Sequence, residues 1–72
     1  MLDQYQPALN ALERAEKMGD SSPLTIGTLA VCHDKLGQAN QAIAYYHKYL
    51  SMNSSDRRMN QMAHQRLDVL EK

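Results

Sequence analysis

The chain has 72 residues, 43% of them apolar, and its eight basic and eight acidic side chains cancel to a formal net charge of zero. That length limits it to one domain with a small core, and neutrality removes the electrostatic ground for nucleic acid or an anionic membrane surface as partner, leaving a protein favoured. Cys32 is the single cysteine, so neither an internal disulfide nor a cysteine-based metal site can be assembled within the chain.

Tyr5, Ala8, Leu9, Leu12, Ala15 and Met18 recur every three or four residues. They predict a first helix over about Tyr5 to Met18, with Glu13, Arg14, Glu16 and Lys17 in water. Pro7 falls in the first turn, where its missing N–H loses little, and Gly19-Asp20 ends the helix. Ser22 before Pro23 is an N-cap followed by proline at the first helical position. Ile26, Leu29, Ala30, His33 and Leu36 then share one face of a second helix that Gly37 stops. Thr25, Gly27, Thr28 and Val31 make this helix intrinsically weak, so packing must hold it.

A short turn at Gln38-Ala39 leads to Asn40 as the expected cap of a third helix, whose inner face is Ala42, Ile43, Tyr46, Tyr49 and Leu50. So short a connection makes helices two and three antiparallel neighbours. Asn53-Ser54-Ser55-Asp56 is a polar break with Ser55 or Asp56 as the next cap. Met59, Met62, Ala63, Arg66, Leu67 and Leu70 form the inner stripe of a fourth helix. Apolar residues at helical spacing throughout make the fold class all-α.

Residues recur at a spacing of 34: Leu2, Leu36 and Leu70 coincide, as do Gln4 and Gln38, Ala8 and Ala42, Met18 and Met52, Asp34 and Asp68, while Leu9 meets Ile43. Within residues 23–56, Ile26, Leu29, Ala30, His33, Ala42, Tyr46 and Ser54 follow the family order of aromatic, leucine, small residue, aromatic, then alanine, aromatic and proline. On these residues the chain resembles the tetratricopeptide repeat family. Ile26 stands for the first aromatic, His33 for a tyrosine, Tyr49 for a second small alanine and Ser54 for the final proline. The resemblance implies antiparallel helix hairpins in a right-handed α-solenoid fragment of about four helices. Residues 1–20 would be the second helix of a preceding unit, 23–56 a complete unit, and 57–72 a capping helix like the ending of many bacterial arrays.

In that family ligands lie in the concave groove lined by the first helix of each unit. Carried over, the groove would hold Leu24, Gly27, Val31, Asp34 and Lys35 from helix two, with Arg58, Gln61, Gln65 and Asp68 from helix four. Gly27 has two readings, close approach of a partner's backbone or tight helix packing. Only Lys35 and Arg58 could contribute to a carboxylate clamp of the kind some members carry, so none is expected. Tyr45, beside the buried stripe without belonging to it, could serve a partner.

Cys32-His33-Asp34 has the residue types of a nucleophilic site, but neighbours on a helix point about 100° apart and cannot form a catalytic chain. Cys32 reads as a small buried or half-buried helix residue, and His33 as a histidine in the interface of helices two and three with Tyr46 or Ile43 nearby. His33, His47 and His64 fall on three helices, so no metal site is expected. No glycine-rich phosphate loop occurs, and no cofactor is expected. No apolar run approaches the roughly 18 residues of a membrane span. Met1-Leu2-Asp3-Gln4 does not begin a signal peptide, so the expectation is a soluble chain, cytoplasmic or periplasmic, without membrane insertion.

The leading expectation is therefore a non-enzymatic interaction module that binds a peptide or helix of another protein in its groove. The alternative is a structural segment that self-associates through helix one, with Leu9 and Leu12 as contacts, or continues a longer solenoid.

Overall fold

A computed structural model describes residues 5–72; Leu2 and Gln4, two of the residues that recur at the 34-residue spacing, lie outside them. The described residues form four helices and no strand: α1 (Tyr5–Lys17), α2 (Pro23–Lys35), α3 (Ala39–Ser51) and α4 (Arg57–Leu70). None of these helices is long and apolar enough to cross a membrane.

Local chemistry sets most of the boundaries. At the end of α1, the Gly19 N–H donates to Glu16 O (3.0 Å) and the Asp20 N–H to Ala15 O (2.9 Å), with Gly19 at φ 99°. This left-handed turn satisfies carbonyls that the helix leaves open. Ser22 caps α2 by accepting from the Thr25 N–H at 3.4 Å, and Asp56 caps α4 by accepting from the Met59 N–H at 3.1 Å. The expected cap at Asn40 is not used: α3 begins at Ala39, and Gln38 precedes it with no side-chain cap bond. Gln38 turns its amide oxygen to His33 Nδ1 instead, at 2.5 Å. After α3 the chain turns at Asn53, φ 52°, a conformation that asparagine tolerates better than most residues.

Helix α2 occupies the middle, and its residues sort into faces by helical angle. Gly27 and Asp34 face α4, where they meet Met59 and Arg66; Val31 shares a cleft with Met62. Ile26, Ala30 and His33 turn towards α3. Thr25, Leu29, Cys32 and Leu36 form the side opposite α4, and α1 packs there. Gly27, early in α2, lies by Tyr49, late in α3, whereas His33, late in α2, stacks on Tyr45. The two helices therefore run in opposite directions. By the same argument α2 and α4 run in the same direction, because Gly27 meets Met59 and Asp34 meets Arg66.

The core is Leu9, Ile26, Leu29, Ala30, Cys32, Ala42, Tyr46, Tyr49, Ala63 and Leu67. Three alanines among them let the helices approach, while Tyr46, Ile26 and Leu29 are the largest side chains buried without remainder. Gly27 belongs to this packing. A Cβ there would lie 2.7 Å from Met59 Cε and 3.0 Å from Tyr49 Cδ1. Of its two readings, tight helix packing is what the structure shows.

Replacing Gly27 by alanine should change stability by less than about 1 kcal/mol, because the gain in helix propensity offsets the displacement of Met59 and Tyr49. Gly27→Val should destabilise by about 1–3 kcal/mol through overpacking. Thermal melts followed by circular dichroism separate the two; equal effects would show that Gly27 is not closely packed.

Candidate functional site

The face between α2 and α4 carries two clefts in series. The first, about 180 Å³, is lined by Pro23, Leu24, Gly27, Thr28, Tyr49, Ser54, Asp56 and Met59. Its floor is the packed Gly27–Tyr49–Met59 contact, and Leu24 stands at its edge 80% exposed. The second, about 260 Å³, is lined by Val31, Asp34, Lys35, Tyr46, Met62 and Arg66.

Asp34 is the electrostatic centre of the second cleft. Arg66 Nε donates to Asp34 Oδ2 at 2.6 Å and Nη2 to Oδ1 at 2.8 Å, and Tyr46 Oη donates to Oδ2 at 3.0 Å. This two-pronged arrangement is the strong geometry for a guanidinium and a carboxylate. The Asp34 side chain is 8% exposed against 40% for Arg66. Hydrogen bonding from Arg66 holds the Asp34 carboxyl below its ordinary range against the opposing effect of burial. The same bonds raise Arg66, and burial with the nearby carboxylate pushes the Tyr46 hydroxyl well up. Asp34 therefore has its charge met inside the chain, which leaves Lys35, exposed, as the free cation of this cleft among the described residues.

Of the residues carried over from the family resemblance, Leu24 and Gly27 line the first cleft and Val31, Asp34 and Lys35 the second. The α4 set lies apart from both clefts. Arg58, Gln61, Gln65 and Asp68 are all exposed and line neither cleft. Helix α4 must turn Ala63 and Leu67 inward, and these four positions lie about half a turn away from them. Met59, Met62 and Arg66 face α2 in their place. They were visible in the sequence as the inner stripe, and a groove-facing role follows for residues at the edge of that stripe.

Tyr45 is also used within the chain. Its ring stacks on His33 at 5.4 Å and an interplanar angle of 7°, and its hydroxyl donates to Glu16 Oε1 at 2.8 Å. Burial and this carboxylate raise the hydroxyl to about 12. The contacts expected for self-association fare differently. Leu9 is 3% exposed and belongs to the core, and Leu12 is half-buried against it, so Leu9 presents no free surface.

Cys32, His33 and Asp34 point to α1, α3 and α4 respectively, each with its own surroundings. Burial raises the Cys32 thiol, and His33 bonds to Gln38. Among the described residues there is no group of three or more His, Cys, Asp and Glu placed to hold a metal ion. His47 lies 3.3 Å from Glu71, and His64 lines a polar depression with Leu50, Asn53, Ser54 and Asn60. Protein-family models, curated proteins and solved structures were each compared with the chain, and none matches.

The Asp34 geometry makes stability depend on pH with a definite sign. Its carboxyl titrates lower when folded than when unfolded, so its contribution is complete above the ordinary aspartate value of about 4 and is lost as pH falls through the lower folded value. The melting temperatures of the native chain and Asp34→Asn should therefore converge as pH is lowered from about 5 to about 2. Arg66→Ala at neutral pH should cost about 1–3 kcal/mol, since it strips a nearly buried carboxylate of its partner.

Proposed function

We propose that this chain is a protein-interaction module of tetratricopeptide type, in which two helical hairpins are stacked and a peptide or helix of another protein lies along the α2–α4 face. The observation that carries the reading is the pair of clefts on that face, with Leu24 80% exposed beside the first and Lys35 exposed beside the second. A partner that covered this large apolar side chain at the lip of a partly apolar cleft would gain free energy by removing it from water. The clefts together offer an apolar anchor site at Leu24 and a cationic site at Lys35, about three helical turns further along α2. A short segment with one apolar side chain and one acidic group matches both.

The reading is non-enzymatic, because Cys32, His33 and Asp34 diverge to three helices and Asp34 is already satisfied by Arg66 and Tyr46. The polar outward side of α4, with Arg58, Gln61, Gln65 and Asp68 exposed, is in keeping with a capping helix.

Display of a random peptide library against the immobilised chain tests this directly. Enriched peptides should lose about tenfold or more in affinity for Leu24→Glu and for Lys35→Glu, and bind Arg58→Glu as they bind the native chain. Peptides that tolerate both groove changes but fail on Arg58→Glu, or a library with no enrichment, would overturn it.

A further inference from the structure

We propose that α1 is an exchangeable helix: two copies of this chain can swap it, each laying its α1 on the face of α2 made by Thr25, Leu29, Cys32 and Leu36. That face lies on the opposite side of α2 from the groove, so exchange and groove binding are independent of one another.

Of the four helices, α1 buries the fewest side chains among the described residues. Leu9 is its one buried side chain, with Tyr5, Ala8 and Leu12 partly buried beside it. Among the described residues, both side-chain hydrogen bonds between α1 and another helix are accepted by Glu16, from Tyr45 Oη at 2.8 Å and from Lys48 Nζ at 3.5 Å. Gln6, Asn10, Arg14 and Lys17 lie on its outward side, so α1 packs on one side only. An element with one buried side chain opens locally at a cost below that of global unfolding.

What opening uncovers is apolar. Leu29 and Cys32 are 0% and 2% exposed with α1 in place, and Thr25 is 6% exposed. A second copy is the occupant that fits, since its α1 brings the same Leu9 and the same Glu16 to the same partners. Exchange then replaces each contact by an identical one, and hinge strain decides between the closed monomer and the swapped dimer.

The hinge is local. Asp20 stays with α2, accepting from the Ser22 N–H at 3.2 Å and from Thr25 Oγ1 at 3.0 Å, and Met18 is 86% exposed. Reversal of the chain depends on Gly19, at φ 99° and with no atom within 4 Å of where a Cβ would stand. A residue with a side chain resists this conformation, and the swapped dimer, with its hinge extended, does not require it.

Gly19→Ala should therefore raise the dimerisation constant by about fivefold per hinge, roughly 25-fold for the pair, measured by sedimentation. Inserting Gly-Gly-Ser after residue 19 of that variant should return it to the native value. Cys32, the single cysteine, reports where α1 sits. A maleimide should label it slowly in both monomer and dimer, and at least tenfold faster in Leu9→Glu, whose α1 cannot dock. Equal dimerisation of the native and Gly19→Ala chains, no rescue by the insertion, or a dimer with readily labelled Cys32 would each overturn the proposal.

Discussion

One nearly buried carboxylate ties three helices together. Asp34 on α2 receives Tyr46 from α3 and Arg66 from α4, and without these donors a charge at that depth would be strongly unfavourable. The constraint works with a second, steric one at the other end of α2. There Gly27 leaves the room that Met59 and Tyr49 fill, which sets how closely α4 can lie. Two fixed points along one helix determine both direction and separation. The groove between α2 and α4 follows from them, with its apolar cleft at the glycine end and its charged cleft at the carboxylate end.

Placing a weak helix former at the centre has consequences. Gly27, Thr25, Thr28 and Val31 would disfavour α2 in isolation, so its helical form depends on neighbours on three sides. Those neighbours are unequal. Helix α3 packs along a face of Ile26, Ala30 and His33, and α4 adds the Asp34 ion pair, whereas α1 contributes Leu9 with Tyr5, Ala8 and Leu12 partly buried beside it, its Glu16 carboxylate bonding to α3 instead. One side of α2 carries the clefts and the Asp34 ion pair, and the opposite side is covered by the element with the fewest buried side chains among the described residues. The proposed recognition and the proposed self-exchange would use the same helix without competing for the same residues.

The helices and two of their caps were legible because they depend on local chemistry: Ser22 before Pro23, Asp56 before Arg57, and apolar residues every three or four positions. The α3 start was not, since Gln38 is engaged by His33 and Asn40 lies inside the helix. Contacts across long stretches of sequence escaped as well. Tyr45 looked free because its partner Glu16 is 29 residues away, and Asp34 looked like a ligand-facing acid because Arg66 is 32 residues away. The α2 residues named from the family pattern line the two clefts, whereas those named on α4 lie about half a turn from the residues that do. The family pattern supplied a face for α4, but burial of Ala63 and Leu67 decides which face is left over.

If α2 is the pivot of the molecule, its backbone should be the last to exchange with solvent. Amide hydrogen exchange resolved by residue is the direct measurement. The account predicts the slowest exchange at Ala30 to His33, with the amides of α1 exchanging about 100-fold faster or more, since α1 opens separately. Protection of α1 equal to or greater than that of α2 would contradict it.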